Sequence, residues 1–299
     1  MSTVTTTKGD AAGTARTPGA TGAPGSAAAR AGRAGRAPTD EGRIGPRANL
    51  RHISALVRRN ALKIKQDPES MFDAVLMPLI FTLLFVYVFG GAVAAGDRAA
   101  YIDYFIPGMM AMGGLQIAMG VGSGVHEDFN TGVMDRFRTM PIARSSVLIA
   151  KLIVETGRML VSTLILLALG FAIGFDLKTG PLELLAAVAL ALFFGSSLTW
   201  IFMLLGMSLK SAQAVQGMGF LVLMPLQFGS SIFANPGTMP GWLESFTKYN
   251  PLSQLADGAR ALTQGEGAVA HPVLMTLLWA VGITAVTAPL AVRKFRDKQ

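Results

Sequence analysis

The sequence predicts an all-α membrane protein with six transmembrane helices, and three observations carry that prediction. Hydrophobic residues make up 51% of the 299, only 15% are charged, and the mean hydropathy is +0.47, a balance far from that of a soluble chain. Six apolar segments, 72–95, 104–125, 147–175, 181–208, 214–234 and 272–292, approach or exceed the roughly 20 residues a helix needs to cross the hydrocarbon. The connections between them are asymmetric in charge. One side carries Arg136, Arg138, Arg144, Lys151, Lys210, Arg293, Lys294, Arg296 and Lys298, and the other only Arg98, Lys178, Lys248 and Arg260. Basic loops stay in the cytoplasm, so a multi-pass protein of the cell membrane is expected, with both termini cytoplasmic.

Residues 1–48, exemplified by "GAPGSAAARAGRAGRAPTDEGR", have almost no large apolar side chain with which to offset the entropy of ordering. They read as a disordered basic cytoplasmic tail, either solvated or touching anionic lipid or RNA. No apolar core of a cleavable signal peptide is present near the start. The net charge of +8 suggests nucleic acid at first sight. About a dozen of the Lys and Arg residues precede Asp67, however, and the rest border apolar runs, so the charge is topological and no nucleic-acid partner is expected. Cysteine is absent, which excludes disulfides, thiolate metal sites and cysteine nucleophiles.

Residues 49–299 form the membrane domain. In "NLRHISALVRRNALKIKQDPE", Leu50, Ile53, Leu56, Val57, Ala61 and Ile64 share one helical face and Arg51, Arg58, Arg59, Lys63 and Lys65 the other. Such a helix lies in the membrane interface or packs on protein, and Asp67-Pro68 ends it. Between the second and third spans lies "HEDFNTGVMDRFRTMPIAR", in which Phe129, Val133, Phe137 and Met140 recur at helical spacing. Asp128 suits the N-terminus of a short helix there, Arg136 and Arg138 its last turn, and Pro141 its end. The apolar face is too small to fold alone. Glu127, Asp128 and Asp135 would be repelled by anionic headgroups, which favours a protein partner over lipid.

Other chemistry is sparse. His52, His126 and His271 are isolated, and neighbouring positions in His126-Glu127-Asp128 point apart on a helix, which favours capping over metal binding. No "GK" dipeptide occurs, so the chain lacks a P-loop and is not itself an ATPase. Gly120 and Gly124, at small-xxx-small spacing, permit close helix approach or are chance in a chain with 34 glycines. Glu155 and Arg158 lie near the inner part of the third span, spaced to pair with each other in its cytoplasmic extension, and Glu155 could alternatively carry protons. "KTGPLELL" reads as a tight outer turn. After the fifth span, "NPGTMPGWLESFTKYNPLSQLADGARALTQGEG" has two proline-containing breaks and a helical stretch from Leu252 to Leu262. It fits one or two short outer helices or a plain interfacial loop, with Trp242, Phe246 and Tyr249 at headgroup level.

The succession of "KQDPE", "MPLIFTLLFVYVFG", "EDFNTGVMDRFRTMPIAR" and "YNPLSQLADGARAL" resembles the permease subunits of type-2 ABC exporters, particularly the daunorubicin-resistance branch, from about residue 49 to the C-terminus. The resemblance implies that the loop after the second span holds a coupling helix seated on a separate cytoplasmic ATPase, which binds the ATP and Mg; no cofactor is expected on this chain. It places Glu127, Gly132, Asp135, Arg136 and Pro141 at the family's acidic, glycine, charged-pair and proline positions, with Phe129, Val133 and Phe137 as the wedge. It implies re-entrant outer helices, a permease dimer of two copies, and surrounding lipid as a further partner. Export of a hydrophobic or amphipathic compound, a drug, antibiotic or lipid, is the expected function, with Met109, Met112, Gln116, Met218, Met224 and Gln227 as candidates to line the path. The alternatives are a proton-coupled secondary transporter and a non-transporting scaffold or sensor that recruits a partner through residues 126–144.

Overall fold

Every described element is a helix; six overlap the apolar segments and two short ones lie between the fifth and the sixth. A computed structural model describes residues 54, 57–58, 68–90, 97–131 and 144–297. The tail 1–48 therefore lies outside the described residues. So do Gly132, Val133, Asp135, Arg136, Phe137, Arg138 and Pro141, with the coupling helix they were expected to form. Of the N-terminal amphipathic helix only Ser54, Val57 and Arg58 are described; Val57 is half-buried and packs on a core cluster that includes Phe129 and Phe295.

Helix α1 runs from Pro68–Leu84 and continues into a π-helical turn, Phe85–Phe89. α2 spans Arg98–Asn130, α3 Arg144–Ile173, α4 Pro181–Ser208 and α5 Ala212–Phe228. A 3-10 turn at Pro236–Thr238 leads to two short helices, α6 (Gly241–Tyr249) and α7 (Pro251–Gln264), before α8 (Ala270–Asp297). Four of these, α2, α3, α4 and α8, are long and apolar enough to cross a membrane. The apolar stretch Val75–Phe89 and the 17-residue α5 are shorter.

The starts and stops follow local chemistry. Asp97 caps α2 by accepting from the Ala100 N–H, Ser211 caps α5 through Ala214, and Pro181 opens α4 at a position where its missing N–H costs nothing. α7 ends at Gly265, whose φ of 69° is the left-handed conformation that suits glycine at a helix C-terminus.

α2 is the axis of the bundle. It packs on α4, α7, α3 and α5, and 78% of its most apolar window is inside the protein, against 11% for α8, which is peripheral. Glycine permits the α2–α4 approach: a Cβ at Gly114 would lie 3.2 Å from the Gly195 Cα, and one at Gly206 would strike the Gly122 carbonyl oxygen. Around one end of α2 an aromatic cluster forms, with Phe85 at 5.4 Å from Phe105 and 4.9 Å from Phe233, and Phe228 stacked on Phe233 at 5.3 Å. Those rings join α1, α2 and the end of α5, so the short helices are fixed by packing as well as by composition.

Candidate functional site

Two polar assemblies sit at opposite ends of α2. At the loop end, α2 meets the residues leading into 132–143. At the lid end, α6, α7 and the 174–180 connection close over the bundle.

At the loop end, the helix expected to begin near Asp128 does not begin there. α2 continues through Glu127, Asp128 and Phe129 to Asn130, and the Thr131 N–H and hydroxyl both donate to the Glu127 carbonyl. Asp128 is thus in the last turn of α2, where its carboxylate receives the Lys151 ammonium of α3 at 2.7 Å. A carboxylate at a helix C-terminus opposes the helix dipole, and the cation from α3 offsets it. Phe129 is half-buried and meets Phe295 of α8 edge-on at 5.7 Å. It therefore ties the chain's own helices together at this end. Glu127 is exposed and His126 is buried. The Gly206 carbonyl, 3.2 Å from His126 Nδ1, can only accept, so Nδ1 carries the proton and Nε2 accepts from the Asn130 amide at 2.8 Å. This histidine is a clamp between α2 and α4, and no cluster of three potential metal ligands occurs among the described residues.

One turn further along α3, the buried Glu155 and the half-buried Arg158 stand 3.0 Å apart. Their contact is ionic without full hydrogen bonding, since Glu155 Oε2 and Arg158 Nε have no hydrogen-bond partner among the described residues. Opposite them are Gly120 and Gly124. A Cβ at Gly120 would sit 3.7 Å from an Arg158 guanidinium nitrogen, and one at Gly124 the same distance from the Lys151 ammonium. The glycine pair therefore faces cations and, with Asp128 one turn on, forms a seam of alternating space and charge between α2 and α3.

The candidate path residues divide by burial. Met109 and Met112 are core residues of α2, with Gln116 half-buried beside them. Met218 and Met224 are exposed on α5, and Gln227 is buried at its end. Within this chain the two methionine pairs do not face one enclosed space. Between Met112 and Gln116, Gly113 is buried, yet a Cβ there would meet nothing within 4 Å, so there is room along that part of α2.

The lid end is organised by Arg260 of α7, whose side chain is 11% exposed. Its Nε donates to the Tyr104 carbonyl at 2.8 Å, one terminal nitrogen to Asp257 at 2.8 Å and Ser231 Oγ at 3.2 Å, and the other to the Ser231 and Ile232 carbonyls at 2.6 and 3.2 Å. The guanidinium also lies 3.6 Å from the Tyr104 ring centre, and the Tyr104 hydroxyl donates to the Ser231 carbonyl. A planar cation with five donors thus serves carbonyls from α2 and from the segment after α5. Asn250 does similar work: it caps α7 through the Leu252 N–H and donates to the Leu226 and Gly229 carbonyls at the end of α5. Thr179, in the connection read as a tight turn, donates to the Leu262 carbonyl at 2.6 Å, and Lys178 reaches Asp103 at 3.6 Å. On the exposed side of α6, Lys248 is hydrogen-bonded to Glu244 at 2.9 Å, which holds its ammonium above the ordinary lysine range. Sequence reading placed Arg260 only as a loop charge. The local signal was Asp257, three residues earlier and at pairing distance on a helix, which points to the ion pair but not to the backbone acceptors.

The chain matches the family model described as "ABC-2 type transporter" over residues 51–263. It is 35% identical over 240 residues to a daunorubicin resistance ABC transporter permease protein, DrrB1, of Streptomyces coeruleorubidus, covering 80% of this chain and 84% of that protein. A probable doxorubicin resistance ABC transporter permease protein, DrrC, of Mycobacterium tuberculosis is 23% identical over 76% of this chain and 82% of its own length. A putative transport permease, ycf38, of Cyanophora paradoxa is 23% identical over 71% of this chain and 74% of its own.

Proposed function

Because the chain belongs to the ABC-2 type transporter family and is the permease subunit of an ABC exporter, we propose that it provides a transmembrane path for a hydrophobic or amphipathic compound. The antibiotics named for its relatives, daunorubicin and doxorubicin, are the first cargo class to test, with lipids the second. The observation that carries the reading is a family match from residue 51 to 263, a range that takes in the charged loop 132–143 and every apolar helix but α8.

In this reading α1, α2, α3, α4, α5 and α8 are the six spans, both termini and the loop end are cytoplasmic, and the lid end faces outward. Basic loop charge supports that orientation. The segment 132–143, held at its base by the Asp128–Lys151 contact, docks on a separate ATPase subunit that carries ATP and Mg. Two permease copies pair. The apolar face of α5, where Met218, Phe220, Leu221 and Met224 are exposed, is suited to a second copy or to lipid. Gly113, Met112 and Gln116 then mark the adaptable part of the path on α2.

The test uses inside-out vesicles containing the permease and its ATPase subunit. ATP should drive daunorubicin accumulation that requires both subunits and survives collapse of the proton gradient. Accumulation that persists without the ATPase and stops when the gradient is collapsed would overturn the reading.

A further inference from the structure

α8 carries a recess that export does not explain. It has 28 residues, about 42 Å at helical rise, so it outreaches a hydrocarbon core of roughly 30 Å and must enter the headgroup zone. Its last turn holds Lys294 and Arg296; its first holds His271. Beside that first turn lies a cavity of about 420 Å³, walled by α8 and the α6–α7 junction. It is lined by Lys248, Tyr249 and His271 beside that turn and, further along α8, by Met275 and the exposed Leu278 and Trp279. Met275 lies about 6 Å and Trp279 about 12 Å along the helix from His271. Polarity therefore falls along the recess as it does from headgroup to acyl chain.

The rim has donors of the kind a phosphate recruits. Lys248 gives one hydrogen bond to Glu244, and an ammonium has three donors; the Tyr249 hydroxyl and the His271 ring supply others. Gln254 also lines the recess. It is 9% exposed, its amide N–H holds the Lys248 carbonyl at 2.6 Å, and its Oε1 has no hydrogen-bond partner among the described residues. No carboxylate lines the recess.

We propose that this recess is a binding site for a phospholipid, with the phosphate at Lys248 and His271 and an acyl chain lying along Met275 and Trp279. The site rests on α8 spanning the membrane and is independent of which leaflet its first turn meets.

The chain has three tryptophans, so the quenching of the intact permease–ATPase complex minus that of its Trp279→Phe form isolates Trp279. In dodecyl maltoside micelles, brominated phosphatidylglycerol should quench Trp279 at about tenfold lower mole fraction than brominated diacylglycerol, the factor expected of one good charge-assisted contact. The double variant Lys248→Ala, His271→Ala should abolish that preference, and Lys248→Arg should retain it. Equal quenching by the two lipids, or a preference unchanged in the double variant, would overturn the site. Quenching by neither lipid would likewise overturn the site. Displacement of the brominated lipid by inorganic phosphate at matched concentration would overturn the lipid and leave an anion site, whereas resistance to it supports the amphiphile.

Discussion

At the lid end one guanidinium serves backbone carbonyls from two separate elements, whereas at the loop end charges meet in pairs beside two glycines of α2. Every donor group of Arg260 is used, and its Nε and one terminal nitrogen reach main-chain oxygens that cannot swing away, while the other terminal nitrogen is held by the Asp257 carboxylate and the Ser231 hydroxyl. At the loop end Asp128 and Lys151 are partly exposed, and Glu155 and Arg158 retain atoms without hydrogen bonds. The first arrangement fixes a geometry. The second tolerates sliding, because opposite charges next to glycine have several acceptable positions. In the proposed reading the loop end receives the ATPase and the lid end faces outward, and the asymmetry lets the first move without unfolding the second.

The contrast predicts a ranking of effects. Replacing Arg260 with Ala leaves the Ser231, Ile232 and Tyr104 carbonyls without their cation and should cost about 4 kcal/mol, read as loss of thermal stability of the solubilised complex. Arg260→Lys should recover only part of it, since one ammonium cannot span the same acceptors. Glu155→Gln should cost less, about 2 kcal/mol, by stranding a half-buried guanidinium that was incompletely bonded from the start. Joining it with Arg158→Gln should restore much of the loss. A double variant worse than the sum would show that the pair serves some third group. Asp128→Asn and Lys151→Met should each change stability by about 1 kcal/mol or less. If either approaches the Arg260 effect, the loop end is as rigid as the lid and the comparison fails.

How much of this was legible beforehand depends on the range of the interaction. The apolar segments, the break at Pro181 and the helix around Leu252 to Leu262 were readable because periodicity and turn chemistry are local. Spacing also put Glu155 within reach of Arg158. The end of α2 was misread: "HEDFN" is charged enough to look like loop, yet His126 is buried by Gly206, 80 residues away, and the helix continues. Phe129 and Phe295 meet across an even longer separation. The roles of Arg260 and Thr179 were invisible for the same reason, since their partners at Tyr104 and Leu262 lie 156 and 83 residues distant. The methionines carried a composition signal but no direction, and only packing separates buried Met109 and Met112 from exposed Met218 and Met224.

The most direct test is the amount of compound moved per ATP hydrolysed in vesicles holding permease and ATPase, compared between Lys151→Met and Arg260→Lys. The account predicts that Lys151→Met leaves complex assembly and ATP hydrolysis near wild type but lowers transport per ATP several-fold, because the base of the docking segment is no longer tied to α3. Arg260→Lys should lower transport and stimulated hydrolysis together, in proportion to the folded complex that remains. An unchanged ratio in Lys151→Met, or an equal fall in the ratio for both variants, would contradict it.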